Sequence, residues 1–147
     1  MRLAYVVLSP LLLLAALPSS AVDARGFVRG ESCSFSTGSR LYLESVDGHR
    51  LPKPIALSFF SESAWDYILN DPLPNLPAGC PRADQCASVA NASLTLRHVS
   101  RSVFVPFRAR RINGISGDFT VQLSDGRKFE GTFKAKVRHP KTPLICM

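Results

Sequence analysis

Polar and apolar residues alternate along much of this chain, most clearly toward its end. Phe119, Val121 and Leu123 alternate with Thr120 and Gln122. Phe129, Gly131, Phe133, Ala135 and Val137 alternate with Lys128, Glu130, Thr132, Lys134, Lys136 and Arg138. A period of two puts each set on its own face of a β-strand. The same period recurs at Leu41 and Leu43, at Ile55, Leu57 and Phe59, at Leu94 and Leu96, and at Val103, Val105, Phe107 and Ala109. Asp47-Gly48 and Asn113-Gly114 predict turns. Pro52 and Pro54 exclude the piece between them from a central strand, because proline cannot donate to the ladder. Ser63 to Asp66 resembles a capping box, and Trp65, Ile68 and Leu69 then share a helical face. This predicts a short helix over 64–70, with a strand carrying Trp65, Tyr67 and Leu69 as the alternative. The fold class expected is all-β: an antiparallel β-sandwich or small open barrel, with at most this one helix.

The turn between the last two strands follows from the alternation. A two-residue Asp125-Gly126 loop would pair Leu123 with Lys128 and put both on one face. A one-residue slip exchanges the faces, so the pattern forbids that loop. A three-residue loop, Ser124-Asp125-Gly126, pairs Leu123 with Arg127 and Val121 with Phe129. Gly126 then takes the left-handed position of a type I turn with a G1 bulge. Phe119 falls opposite Gly131, and Phe133 opposite Gly117, where large rings cover exposed backbone.

The first residues change the picture from fold to destination. Arg2 precedes an almost unbroken apolar run from Leu3 to Leu17, and small residues follow at Ser19, Ser20 and Ala21. This is the pattern of a cleavable secretory leader. The run is shorter than the roughly 20 residues a spanning helix needs, and Pro10 interrupts it. Cleavage fits after Ala21 or after Ala24, and the second is preferred. The expected organisation is a signal peptide over 1–24 and a single β domain over 25–147. No Cys directly follows the apolar run and no twin-Arg pair precedes it, so the expected product is secreted or periplasmic and untethered. No later segment is apolar enough to span a membrane.

Four cysteines in an exported domain suggest two disulfides. Cys80 and Cys86 frame a short loop and are expected to pair locally, leaving Cys33 with Cys146. That second bridge would close a very long loop, worth about 4–5 kcal/mol in the chain-entropy model. The step from Cys80 to Cys86 does not match zinc-ligand spacing, and no metal or other cofactor is expected. The segment from Asp71 to Pro81 contains Pro72, Pro74, Pro77 and Pro81 and reads as a long surface loop. Such a loop serves either recognition or a rigid crossover.

The full chain carries a formal net charge of +7, distributed unevenly. Residues 25–96 hold 6 Lys/Arg against 7 Asp/Glu, whereas residues 97–147 hold 11 against 3. Lys128, Lys134, Lys136 and Arg138 point away from the inferred core, as do Arg108 and Arg110 if Phe107 and Ala109 point inward. If those two strands are neighbours, the six cations form a stripe suited to phosphates or sulfates. A solvated outer face explains the same residues. Phe104 is the one outward ring expected, which disfavours stacking on single-stranded nucleic acid. Export likewise argues against an intracellular nucleic-acid role.

Catalytic signatures are missing. There is no G-x-S-x-G, H-E-x-x-H or Gly-rich phosphate loop. His49, His98 and His139 are isolated, and no catalytic residue is assigned. Asn91-Ala92-Ser93 is a glycosylation acceptor only in a eukaryotic host, and Arg108 to Arg111 resembles a dibasic processing site.

The stretch from Gly117 to Arg127, then Phe129 to Ala135 and Cys146, resembles the closing hairpin of many uncharacterised exported bacterial β-proteins. Those read G-x-F-x-[VL]-x-[LF]-x-[DN]-G, then G-x-F-x-A and a terminal Cys. The resemblance covers about 30 residues and rests on structural positions, so it implies fold and export and no activity. Many of those relatives carry a lipoprotein Cys that this chain lacks, so tethering does not carry over.

The expected function is a small disulfide-stabilised β domain of the bacterial envelope or exterior, non-catalytic and acting by binding or as structure. The first alternative is a polyanion-binding module whose partner is an acidic envelope polymer, such as an acidic glycan or lipid head groups. Another exported protein would serve equally as partner. The second alternative is a small hydrolase whose site is assembled by the fold.

Overall fold

A computed structural model describes residues 21–30, 38–59, 68–102 and 112–138. Seven strands are present: β1 Val22–Gly30, β2 Ser39–Val46, β3 His49–Phe59, β4 Pro72–Leu73, β5 Val89–Arg101, β6 Ile112–Leu123 and β7 Lys128–Arg138. They form one sheet in the order β3-β2-β1-β7-β6-β5-β4. The all-β reading holds, on its open-sheet side. The sheet is mixed: β1 and β7 run parallel, and every other neighbouring pair is antiparallel. Alternation along a strand fixes which face a side chain takes. It carries no information about which strand lies alongside, so the parallel junction was not foreseeable.

Among the described residues, the apolar members of the alternating pattern lie on one face, while Val103, Val105, Phe107 and Ala109 lie outside the described residues. Ala24, Val28, Leu41, Leu43, Leu57, Leu96, Val121 and Phe133 have no exposed surface to within 1%. They pack with Ile55, Phe59, Leu94, Ile115, Phe119 and Ala135 into one core. At roughly 25 cal/mol per Å² of apolar surface, burial on this face is the dominant force holding the sheet curled.

The curl is nearly complete. Leu76 donates its N–H to the Ala92 carbonyl on β5 (2.8 Å), and the next carbonyl, that of Pro77, accepts from Ser58 of β3 (3.0 Å). Consecutive residues therefore bond to β3 at one end of the sheet and to β5, next to the two-residue β4, at the other. Gly79 and Ala87 add bonds to the carbonyls of Ala56 and Pro54 on β3 (2.8 and 2.9 Å). The strand ladder itself stays open, and the proline-rich segment after β4 fills the seam. Leu76 points into the core from this segment. The segment is thus a crossover stapled at both edges. Cys80 and Cys86 form the expected local disulfide within it, with Cα atoms 5.9 Å apart. Pro52 and Pro54 lie on β3, at the end of the strand order, where no strand needs their missing N–H.

The β6–β7 hairpin has the predicted register. Val121 pairs with Phe129, Phe119 with Gly131 and Gly117 with Phe133. Leu123 and Arg127 close the turn through Leu123 N–H to Arg127 O (2.8 Å), and Gly126 has φ +92°. Asp47 and Gly48 form the other predicted turn, both with positive φ (50° and 78°). Asn113-Gly114 does not turn. It lies inside β6, where Gly114 pairs with Ser100 on one side and Lys136 on the other. Of the expected helix over 64–70, positions 64–67 lie outside the described residues. Leu69 bridges to Leu96 and Asn70 bonds the Leu96 carbonyl, which makes this piece an edge of the sheet. Cys33 and Cys146 also lie outside the described residues.

Candidate functional site

The outward face of β7 carries the expected cations. Phe133 and Ala135 are buried, so Lys134, Lys136 and Arg138 between and beyond them are exposed, as is Lys128. Lys128 sits apart at the turn end and pairs with Glu130 (3.1 Å). Arg108 and Arg110 lie outside the described residues. The neighbours of β7 are β1 and β6, and it is β1 that extends the charge.

Along β1, Ala24 and Val28 point inward, which turns Arg25, Phe27 and Arg29 outward. The parallel register sets Arg25 beside Lys134, Phe27 beside Lys136 and Arg29 beside Arg138. On the far side, Phe27 faces Tyr42 of β2. The rings stack with centroids 4.8 Å apart and planes 15° from parallel. The Arg138 guanidinium covers Phe27 at 3.6 Å from the ring centroid. Arg138, Phe27 and Tyr42 thus form a row across three strands. A stacked pair contributes about 0.5–1.5 kcal/mol beyond its area, and an exposed cation–π contact about 0.5–1 kcal/mol. The row holds the Arg138 side chain in place.

Two carboxylates border the patch. Asp23 lies 3.7 Å from Arg25, and Glu44 lies 3.9 Å from Arg138. Both contacts are long and exposed and add little stability, and the two carboxylates offset two of the five positive charges (Arg25, Arg29, Lys134, Lys136, Arg138). Among the described residues, Arg29, Lys134 and Lys136 have no ion pair. The patch therefore keeps a positive excess of three (5 − 2).

Sequence reasoning reached β7 and missed β1 and the rings. Tyr42 was within reach, since the alternation of Leu41 and Leu43 already turns it outward. Arg25, Phe27 and Arg29 were hidden because the strand begins close behind the apolar amino-terminal run, where no polar-apolar contrast marks its start.

A second feature is an open cleft of about 560 Å³. It lies between the start of β3 (Leu51, Ile55), the disulfide loop (Cys86, Ala87) and the β6–β7 turn (Leu123, Arg127). Its one carboxylate is Asp125. The backbone N–H of Arg127 chiefly holds that carboxyl below the usual range; desolvation opposes it, and the Arg127 side chain adds to the lowering. Ser88 and Ser124 at the rim share a hydrogen bond (2.8 Å). No histidine is among the residues that line the cleft. His49 and His98 are exposed elsewhere on the sheet. Among the described residues, no three His, Cys, Asp or Glu side chains gather as metal ligands, and no helix is long and apolar enough to cross a membrane. Asn91 is exposed on β5.

The fold and face together define an all-β protein with a curled, seam-closed sheet and a basic outer patch. No family model, curated protein or solved structure matches the chain.

Proposed function

We propose that this chain is an exported, non-catalytic binding domain that takes polyanions on the outer face of β1 and β7. One observation carries the reading. The parallel β1–β7 ladder gathers Arg25, Arg29, Lys134, Lys136 and Arg138 into one exposed patch, with three of the five free of ion pairs among the described residues. Clustered positive charge raises the local concentration of anions and speeds their capture, and arginine adds bidentate contacts to phosphate or sulfate. The apolar leader and the local disulfide fit an oxidising compartment outside the cell membrane.

Retention on heparin or phosphocellulose tests this directly. The variant Lys134→Ser/Lys136→Ser/Arg138→Ser is expected to elute at clearly lower salt than Arg50→Ser/Lys53→Ser/Arg82→Ser, which removes equal charge away from the patch. Equal elution of the two variants overturns the proposal.

A further inference from the structure

We infer that the polyanion taken by this face is an extended polyol phosphate chain, with three carbons between successive phosphates, lying along β1 and β7. The inference rests on the polyanion reading above and narrows it. Lys134, Lys136 and Arg138 follow one another at every second residue on the exposed face of one strand. Two residues of strand rise roughly 6.6 Å and comprise six backbone bonds. A phosphodiester chain with a three-carbon spacer also has six bonds from one phosphorus to the next. Extended side by side, the two chains repeat in step, so each phosphate meets a cation without a shift of register. Arg25 and Arg29 on β1 flank the first and last of these cations, one strand spacing away at roughly 4.8 Å. The first phosphate can therefore be gripped from two strands, and the last is met by Arg29, since the Arg138 guanidinium leans back over Phe27. The middle one meets Lys136 beside Phe27.

Nucleic acid shares the six-bond repeat, and the rings decide against it. Binding of single strands draws much of its energy from bases stacked on exposed ring faces. Here Phe27 has one face under Arg138 and the other against Tyr42. Both faces of Phe27, the ring beside Lys136, are thus taken by the row's own members, and the backbone charges are what the Lys134–Arg138 track reads. A condensed polyphosphate has two bonds between phosphorus atoms and cannot keep step with the strand.

Fluorescence polarisation on the full mature domain tests this with labelled oligomers of equal charge: a glycerol phosphate oligomer, a linear polyphosphate, an oligoglutamate and a single-stranded oligodeoxynucleotide. The glycerol phosphate oligomer is expected to bind at least about fivefold more tightly than polyphosphate or oligoglutamate, and the oligodeoxynucleotide no more tightly than the glycerol phosphate oligomer. Its salt dependence should flatten by about 0.7 in log–log slope in Lys136→Ser, the share of one phosphate contact on a flexible strand. Circular dichroism confirms that this exposed substitution leaves the fold intact. Equal affinity for all four probes overturns the spacing argument while leaving polyanion binding in place. Tighter binding of the oligodeoxynucleotide overturns it in favour of base recognition. Binding of none of the probes fells the parent reading as well.

A different observation assigns the processing site. The leader is removed after Ala21, so that the mature chain starts at Val22. β1 begins at Val22, which pairs with Gly131. The Asp23 N–H bonds the Asp47 carboxylate (2.9 Å), and the Asp23 carbonyl accepts from the Asp47 N–H (2.8 Å). Ala24 is wholly buried between Val46 and Phe133. Cleavage after Ala24 would strip a core residue and both bonds that tie the β2–β3 turn down. Cleavage after Ala21 leaves them intact and matches the small-x-small rule through Ser19. Intact-mass measurement of the chain exported under its own leader is expected to give an amino terminus at Val22. A terminus at Arg25, or an uncut leader, overturns the assignment. A domain produced to begin at Arg25 should also melt lower than one beginning at Val22, and equal melting points overturn the structural basis.

Discussion

Phe133 shows how much a single side chain does in this sheet. It is fully buried, and it faces Gly117 on β6 and Ala24 on β1. It therefore fills the core at the junction between the two antiparallel halves. Phe133→Ala is expected to cost about 3–5 kcal/mol, read as a shift in the urea midpoint with unchanged slope. Asp125 works through charge instead. The Arg127 backbone N–H and side chain hold its carboxyl low, so the folded chain gives up this proton more readily than the unfolded one. Its stabilising effect is complete at neutral pH and fades as pH falls through the lowered value. Asp125→Ala should lower the melting temperature at neutral pH. That difference should close in acid below the ordinary carboxylate range, and a gap that persists there would locate the effect in turn geometry alone.

Among the elements, β6 and its partners carry the sharpest constraint. At Gly117 a Cβ would run into the Thr95 carbonyl oxygen, where β5 bulges between Leu96 and His98. The two backbones approach so closely that only glycine fits. Gly117→Ala is expected to destabilise by roughly 3 kcal/mol, since backbone rather than a side-chain tip must yield; thermal unfolding measures it. The β6–β7 register was legible in sequence because a long alternation on both arms left one turn length compatible with one buried face. The dipeptide Asn113-Gly114 misled for the opposite reason. It permits a turn without requiring one, and inside β6 it is flanked on both sides by paired strands, so ladder bonds on two edges outweigh local preference. The cations of β7 were legible by the same alternation. Their partners Arg25 and Arg29 were not, because the parallel neighbour of β7 comes from the opposite end of the sequence.

For the molecule as a whole, the seam decides how far the sheet is closed. The segment 76–87 bonds to β5 at Ala92 and to β3 at Pro54, Ala56 and Ser58, with the disulfide between these anchor points. Cys80→Ser/Cys86→Ser is expected to speed amide exchange at Ser58, Gly79 and Ala87. Exchange within β6 and β7 should stay unchanged, because local opening follows local contacts. Uniform acceleration across the sheet would show that the bridge supports the global fold instead.

The parallel pairing of β1 with β7 also has a consequence in time. A chain is synthesised from its amino terminus, so β1, β2 and β3 become available early and can pair as a meander. One edge of β1 must then wait, its backbone groups unmatched, until β7 has been made, since β7 is the strand that completes it. Contacts so distant in sequence form late and slow the search for the native state. Until β7 arrives, the nascent chain exposes a strand edge open to wrong partners. A chain held unfolded until its last strand has emerged avoids that interval.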